Sequence, residues 1–347
     1  MRSVLYAAMV SLFVSLGGTP FLIRIFRLRR FGQLLREDWS DEGNYHEQKR
    51  GTPTAGGIII IVAIVAGYLA AHVPRAVPIK ATGLAVLGTI IAMGAVGFTD
   101  DYIKIRHQRS LGLNKTAKVL AQLAVAIGLA VVVIHFTGQS RFVTHLSFVR
   151  RTRLDLGEYL FIAWVFVVLS ATTNGVNLTD GLDGLAAGAS AIVFTAYVFI
   201  AFWQFRHPIY EIHDALELAI VAAAGLGACA GFLWWNAAPA RIFMGDTGSL
   251  ALGGGIAALA IFTSTHLLLV VIGGLFVLET TSVIMQVVAF RGFKRRVFKM
   301  APVHHHFELG GWPEFTVIVR FWIIAGLSAA LGIGLFYADF LARGGLR

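Results

Sequence analysis

Gly83-Leu-Ala-Val-Leu-Gly-Thr-Ile-Ile-Ala-Met-Gly-Ala-Val-Gly-Phe-Thr99 carries no charge and runs straight into Asp100-Asp101-Tyr-Ile-Lys104. A spanning helix needs about 20 apolar residues, so this stretch reads as a membrane helix with two carboxylates at its edge. A charge in that setting costs roughly 2.5–3.5 kcal/mol on insertion scales, and the two carboxylates also repel each other. Such a pair persists when something cationic holds it, and a divalent metal is the obvious candidate. The arrangement recurs: Asp180 and Asp183 follow one apolar run and Asp246 precedes another.

Working outward, ten runs have spanning length: 3–26, 53–72, 82–99, 117–136, 157–174, 184–203, 215–235, 247–264, 266–290 and 317–338. The predicted fold is an all-α polytopic membrane protein of about ten helices, one integral membrane domain over 1–347. Composition agrees: 57% hydrophobic, 14% charged and mean hydropathy +0.74, against about 25% charged in a soluble domain. The first run lacks a small-residue cleavage site and is too long for a signal segment, so it reads as a retained helix. The one cysteine, Cys229, lies in an apolar run, which excludes a disulfide framework and a thiolate metal site. Gly227-Ala-Cys-Ala-Gly231 matches the small-xxx-small pattern of close helix packing.

The net charge of +10 raises nucleic acid as a partner. In a membrane chain it instead reflects basic loops, with anionic substrates or lipids as partners. With ten spans, 19 of the 29 Lys and Arg fall in one set of loops, seven of them before the second span. The positive-inside rule puts that set in the cytoplasm and both termini outside. Arg150-Arg151-Thr-Arg153 runs against this bias. In this topology Asp100, Asp101, Asp180, Asp183, Asp246 and His304-His305-His306 all reach the cytoplasmic side.

Asn174, Asn177, Asp180 and Asp183 repeat at every third position, so on helical or turn geometry they share a face. Two amides and two carboxylates offer acceptors for a cation and donors for a base or sugar. Asp246 sits in Phe243-Met-Gly-Asp246-Thr-Gly-Ser249, where it could cap the next helix or, between two glycines, close a tight loop on a metal or phosphate. Pro302-Val-His304-His305-His306-Phe-Glu308 lacks the spacing of a zinc site, and its rings suit phosphate or base contacts. Lys49-Arg-Gly-Thr-Pro-Thr54-Ala-Gly-Gly57 brings cations and a glycine-rich bend to the same side. Together these features point to metal-dependent chemistry on a phosphate at the water–lipid boundary.

These elements, in this order, resemble the polyprenyl-phosphate N-acetylhexosamine-1-phosphate transferase superfamily. The resemblance spans nearly the whole chain, with Ala55 standing where Met is usual. It implies a homodimer in a bacterial plasma membrane, with its active site on the cytoplasmic face. The implied reaction moves phospho-MurNAc-pentapeptide from UDP-MurNAc-pentapeptide to undecaprenyl phosphate, giving lipid I and UMP with Mg2+. On that likeness Asp246 is the metal ligand, and Asp100 and Asp101 join it as catalytic residues, Asp100 as base or nucleophile. Lys49, Thr54, Lys104, Asn174, Asn177, Asp180, Asp183, Asn236, Phe243 and His304–His306 are the substrate-binding set. The alternatives are a GlcNAc-1-phosphate transferase of the same superfamily and an ion-coupled transporter, which would place its carboxylates at mid-membrane on broken helices.

Overall fold

The structure is a computed structural model that describes residues 1–28, 51–73, 78–107, 111–136 and 143–342. Twelve α-helices and one short hairpin form among these residues. The first four helices are α1 (Arg2–Leu28), α2 (Gly57–His72), α3 (Ala81–Arg106) and α4 (Lys115–His135). Strands β1 (His145–Ser147) and β2 (Arg151–Asp155) pair antiparallel. Next come α5 (Gly157–Thr179), α6 (Leu185–Arg206), α7 (Ala215–Asn236) and α8 (Gly245–Phe262). The chain closes with α9 (Leu268–Ile272), α10 (Gly274–Phe293), α11 (Val303–Glu308) and α12 (Glu314–Ala342).

Nine of these helices are long and apolar enough to cross a membrane, and α2 is a shorter apolar helix of 16 residues. The ten sequence runs therefore meet ten helical passages, with three differences. The ninth run is broken at Gly273 into α9 and α10. Residues 53–56 precede α2 as a loop that hydrogen-bonds residues 243–244 instead. Helices α3 and α5 run past the apolar edge, so Asp100, Asp101, Asn174 and Asn177 lie within helices rather than after them. Apolar run length marks the hydrocarbon, whereas the helix continues for as long as its polar residues find partners.

Helix α8 is the axis of the bundle. Its apolar residues are all buried, and α2, α3, α5 and α6 pack on it. Small residues make that enclosure possible. A side chain on Gly57 would enter the backbone of α8 at Gly248, and one on Gly97 would enter it at Asp246. Gly227 and Gly231 likewise let α7 lie directly on the backbone of α1 at Ala8 and Leu12, the close packing their spacing predicts.

The hairpin was not foreseen, and it accounts for two of the three arginines that oppose the charge bias. Arg150 pairs with Asp339 of α12 at 3.3 Å, and Arg151 pairs with Glu211 at 3.7 Å. Ser147 accepts the backbone N–H of Leu267 at 2.9 Å, fastening β1 to the segment between α8 and α9. These basic side chains are neutralised one by one within the protein at the end of the bundle remote from Asp246.

Candidate active site

The site is built on the first turn of α8. Gly245 opens it at φ 71°, a left-handed conformation that glycine adopts without strain. The turn's free N–H groups are capped from another helix. Asp101 of α3 accepts the Asp246 N–H at 3.1 Å, the Thr247 N–H at 2.9 Å and the Thr247 hydroxyl at 2.6 Å. An anionic cap at a helix N-terminus satisfies orphan donors and the helix dipole together. Asp246 is thus the second residue of α8 rather than a residue before it, and capping falls to Asp101. The Asp246 carboxylate is left to point elsewhere.

It meets donors from three helices. Its Oδ1 accepts from Nδ2 of Asn177 at 2.9 Å. Its Oδ2 lies 2.7 Å from Nζ of Lys118 and 3.3 Å from Nζ of Lys104. Both lysines also reach Asp100, Lys104 at 2.6 Å and Lys118 at 3.5 Å. The Leu113 N–H adds a 2.9 Å bond to Asp100 Oδ1. Oxygens of Asp100, Asp101 and Asp246 come within 4.8 Å of one another. Asp100 and Asp246 thus share two ammonium groups with Asp101 beside them in a largely buried place, and hard oxygen donors at this spacing suit Mg2+ better than a soft metal. Asp180 is a fourth carboxylate beside them. Burial and the charges of Asp246, Asp101 and Asp183 push it well above the usual carboxylate range, although the Gly245 N–H donates to it. A cation brought among these groups would relieve the repulsion.

The stripe from Asn174 to Asp183 does not stay on one face. Asn177 reaches Asp246 and Ser249, and Asp180 joins the acidic group. Asn174 turns back to its own helix, donating to Ser170 O at 2.8 Å. Asp183 fastens loops: its Oδ2 accepts from Ala240 N at 2.9 Å, while its N–H donates to Glu314 at 3.2 Å. Asn236 is buried and donates to Ile242 O at 2.9 Å, shaping the turn before Phe243. Phe243 is half-buried and receives the 53–57 segment, its N–H donating to Pro53 O at 2.8 Å. That pairing places Thr54 beside Gly245. Lys49 lies outside the described residues.

The three histidines have three different settings. His304 is fully buried, with Nδ1 3.0 Å from Glu279 of α10. The ring of His305 lies tilted against that of His304, centroids 4.1 Å apart, and bonds Glu308 at 2.6 Å. Burial holds its imidazole below the ordinary range despite Glu308, which leaves a neutral hydrogen-bonding group at neutral pH. His306 accepts the Lys299 N–H on Nδ1 at 3.0 Å. His304 and His305 lie against Gly181, which links the histidine segment to the Asp180 turn. Lys118, Glu279 and Glu314 were not singled out by the sequence, though Glu279, an acidic residue inside the ninth apolar run, carries a default signal of function.

Residues 83–264 match the family model described as glycosyl transferase family 4. The chain is 55% identical to the phospho-N-acetylmuramoyl-pentapeptide-transferase of Frankia casuarinae, covering 99% of this chain and 100% of that protein. It is 50% identical to the proteins of the same name from Streptomyces griseus subsp. griseus and Mycobacterium leprae, again covering 99% of this chain and at least 99% of each relative.

Proposed function

The chain belongs to glycosyl transferase family 4, among its phospho-N-acetylmuramoyl-pentapeptide-transferases, and on that premise we propose its reaction in full. It is a membrane-spanning transferase of peptidoglycan synthesis. Phospho-MurNAc-pentapeptide passes from UDP-MurNAc-pentapeptide to undecaprenyl phosphate, yielding lipid I and UMP. The observation that carries this reading is the Asp246 carboxylate, freed from capping by Asp101 and ringed by Asn177, Lys104 and Lys118.

An oxygen of the lipid phosphate attacks the sugar-linked phosphorus. The bond to the UMP oxygen breaks, and UMP leaves with the electron pair. Several negative charges meet in that step, so positioned cations are the main requirement. Asp246, with Asp100 and Asp101 in reach, would hold Mg2+, which neutralises charge on the diphosphate and improves UMP as a leaving group. Lys104 and Lys118 neutralise the remaining phosphate oxygens, and Asn177 holds Asp246 in place. Lys49 belongs with them on the family resemblance. Thr54, Asn174, Asn177, Asp180, Asp183, Asn236, Phe243 and His304–His306 make up the uridine and diphosphate walls, Asp183, Asn236 and His304 by holding loops.

Asp100 positions rather than attacks in this reading. It is 2% exposed, and its two oxygens are engaged by Leu113, Lys104 and Lys118. The lipid phosphate needs no strong base, since a phosphate monoester's second pKa is about 6. Asp100→Asn should slow turnover without making it depend on an added nucleophile. Delipidated enzyme that released UMP stoichiometrically from the UDP-sugar alone, and exchanged labelled UMP back, would overturn direct attack.

The deciding assay is purified protein with UDP-MurNAc-pentapeptide, undecaprenyl phosphate and Mg2+, scored for UMP release. Turnover of UDP-GlcNAc in place of the muramoyl donor would move the protein to the GlcNAc-1-phosphate branch. Labelling of a cysteine placed at His306 by a membrane-impermeant thiol reagent, in vesicles of known sidedness, tests the cytoplasmic orientation. The family resemblance also carries a homodimer, which light scattering in detergent checks.

A further inference from the structure

We propose that Glu279 is a positioning residue of the transfer reaction, acting through His304 on the Asp180–Gly181 turn. The proposal rests on the functional reading above and names a side chain that reading does not use. Glu279 is the sixth residue of α10, inside the apolar ninth passage, and is fully buried. A buried carboxylate in a spanning helix is expensive, and removing its sole partner is more so. Its side-chain partner among the described residues is Nδ1 of His304, at 3.0 Å and equally buried.

The ring of His304 reaches the site from below. Its Nε2 lies under Gly181, so close that any side chain there would overlap it. Asp180, next in the chain, belongs to the acidic group around Asp246. The chain of contact therefore runs from Glu279 to His304, then to Gly181 and the acidic group. His305, whose ring lies tilted against that of His304, leans on the same support.

Two further residues on α10 hold the same segment. The Ser282 hydroxyl accepts the Val303 N–H at 3.0 Å, one residue before His304. The Gln286 amide accepts the N–H groups of Val297 and Phe298 at 3.0 and 2.9 Å and donates to Phe298 O at 2.9 Å. Positions 279, 282 and 286 follow helical spacing along one face. Ser282 and Gln286 hold backbone, whereas Glu279 alone holds a ring. Glu279 also keeps Oε2, and His304 keeps Nε2, without a hydrogen-bond partner among the described residues.

The test compares Glu279→Gln, Glu279→Ala, His304→Ala and the Glu279→Ala/His304→Ala double variant in purified, monodisperse protein. The amide oxygen of Gln accepts Nδ1–H as the carboxylate does. Glu279→Gln should therefore keep kcat within about threefold of wild type, whereas Glu279→Ala should lose about 10–100-fold in kcat, the scale on which partners of site residues act. The KM for lipid phosphate should stay unchanged. The double variant should be no slower than His304→Ala, because the two act as one unit. In 15N-histidine spectra, the His304 signal should keep its tautomer in the Gln variant and lose it in the Ala variant.

Full activity of Glu279→Ala, equal damage by Gln and Ala, or additive losses in the double variant would each overturn the proposal. If Glu279→Ala does not fold, the Gln variant and its spectrum decide. Failure of the wild-type protein to turn over the muramoyl donor would remove the functional reading instead, with the 15N comparison still reporting on the Glu279–His304 pair.

Discussion

Buried carboxylates occupy both ends of this bundle, and they are treated differently. Near the remote end Glu217 of α7 is saturated: Oε1 pairs with His72 Nε2 at 2.9 Å, and Oε2 accepts the Tyr68 hydroxyl. The other nitrogen of His72 bonds Tyr68 O at 2.8 Å, so this network closes on itself. Two arginines of the hairpin, Arg150 and Arg151, pair with Asp339 and Glu211, and Arg153 is exposed. At the Asp246 end the charged groups are shared among several partners. Asp100 and Asp246 share two lysines, and Asp101 and Asp180 crowd in beside them. Closed networks hold helices together. Open ones have capacity left for a ligand, and the membrane makes that capacity costly to maintain without a use.

The sharpest way to break this contrast is Asp246→Ala. With the central acceptor gone, turnover should fall at least about 10³-fold even at high Mg2+, the scale of a lost transition-state charge contact, while thermal unfolding in detergent changes little. Near-normal UMP release would return Asp246 to a structural role. Glu217→Ala should behave in the opposite way. Opening a closed buried pair costs about 3–5 kcal/mol, so the unfolding midpoint should drop steeply while kcat per folded molecule is preserved. A kcat loss matching that of Asp246→Ala would erase the distinction between the ends.

His305→Ala against Arg296→Ala refines it within the site end. His305 is nearly buried beside Gly181, whereas Arg296 is exposed. The histidine variant should lose more turnover, and equal losses would remove the histidine segment from the site. The smallest effect belongs to Asp155 on the hairpin. The Thr144 hydroxyl, 2.6 Å away, and the Gly157 N–H hold its carboxyl below the usual range. Its contribution to stability is therefore present above its unfolded pKa of about 3.9 and is lost as pH falls through the lowered value. Thr144→Val should weaken acid tolerance slightly in an unfolding series from pH 5 to 3, with turnover at neutral pH untouched.

The sequence made the bundle legible because hydrocarbon imposes a length, and Gly83–Thr99 or Leu185–Phe202 cannot be read as anything shorter. Alternating direction then brought Asp100, Asp180, Asp246 and His304 to one end, as the structure does. The division of labour within the cluster was not legible. Asp100 and Asp101 are neighbours of identical chemistry, yet one faces the lysines and the other caps α8 from 145 residues away. Nothing local distinguishes them. Lys118 hid for another reason: a lysine at the start of a helix satisfies the positive-inside bias whether or not it touches Asp246. Glu279 and Glu217 were the recoverable omissions, since each interrupts an apolar run.

The break at Gly273 gives the ninth passage a further property. Helix α10 is mostly uncovered by protein and turns Ile284, Val288 and Phe293 outward, whereas α8 is sheathed almost completely. Acyl chains therefore press directly on the helix that carries Glu279, and they reach α8 only through its neighbours. Bilayer thickness should then act as a mechanical input to the enzyme. Each ångström of mismatch costs a fraction of a kcal/mol, and that load falls first on the support of His304, so the same protein should run at different speeds in short-chain and long-chain vesicles.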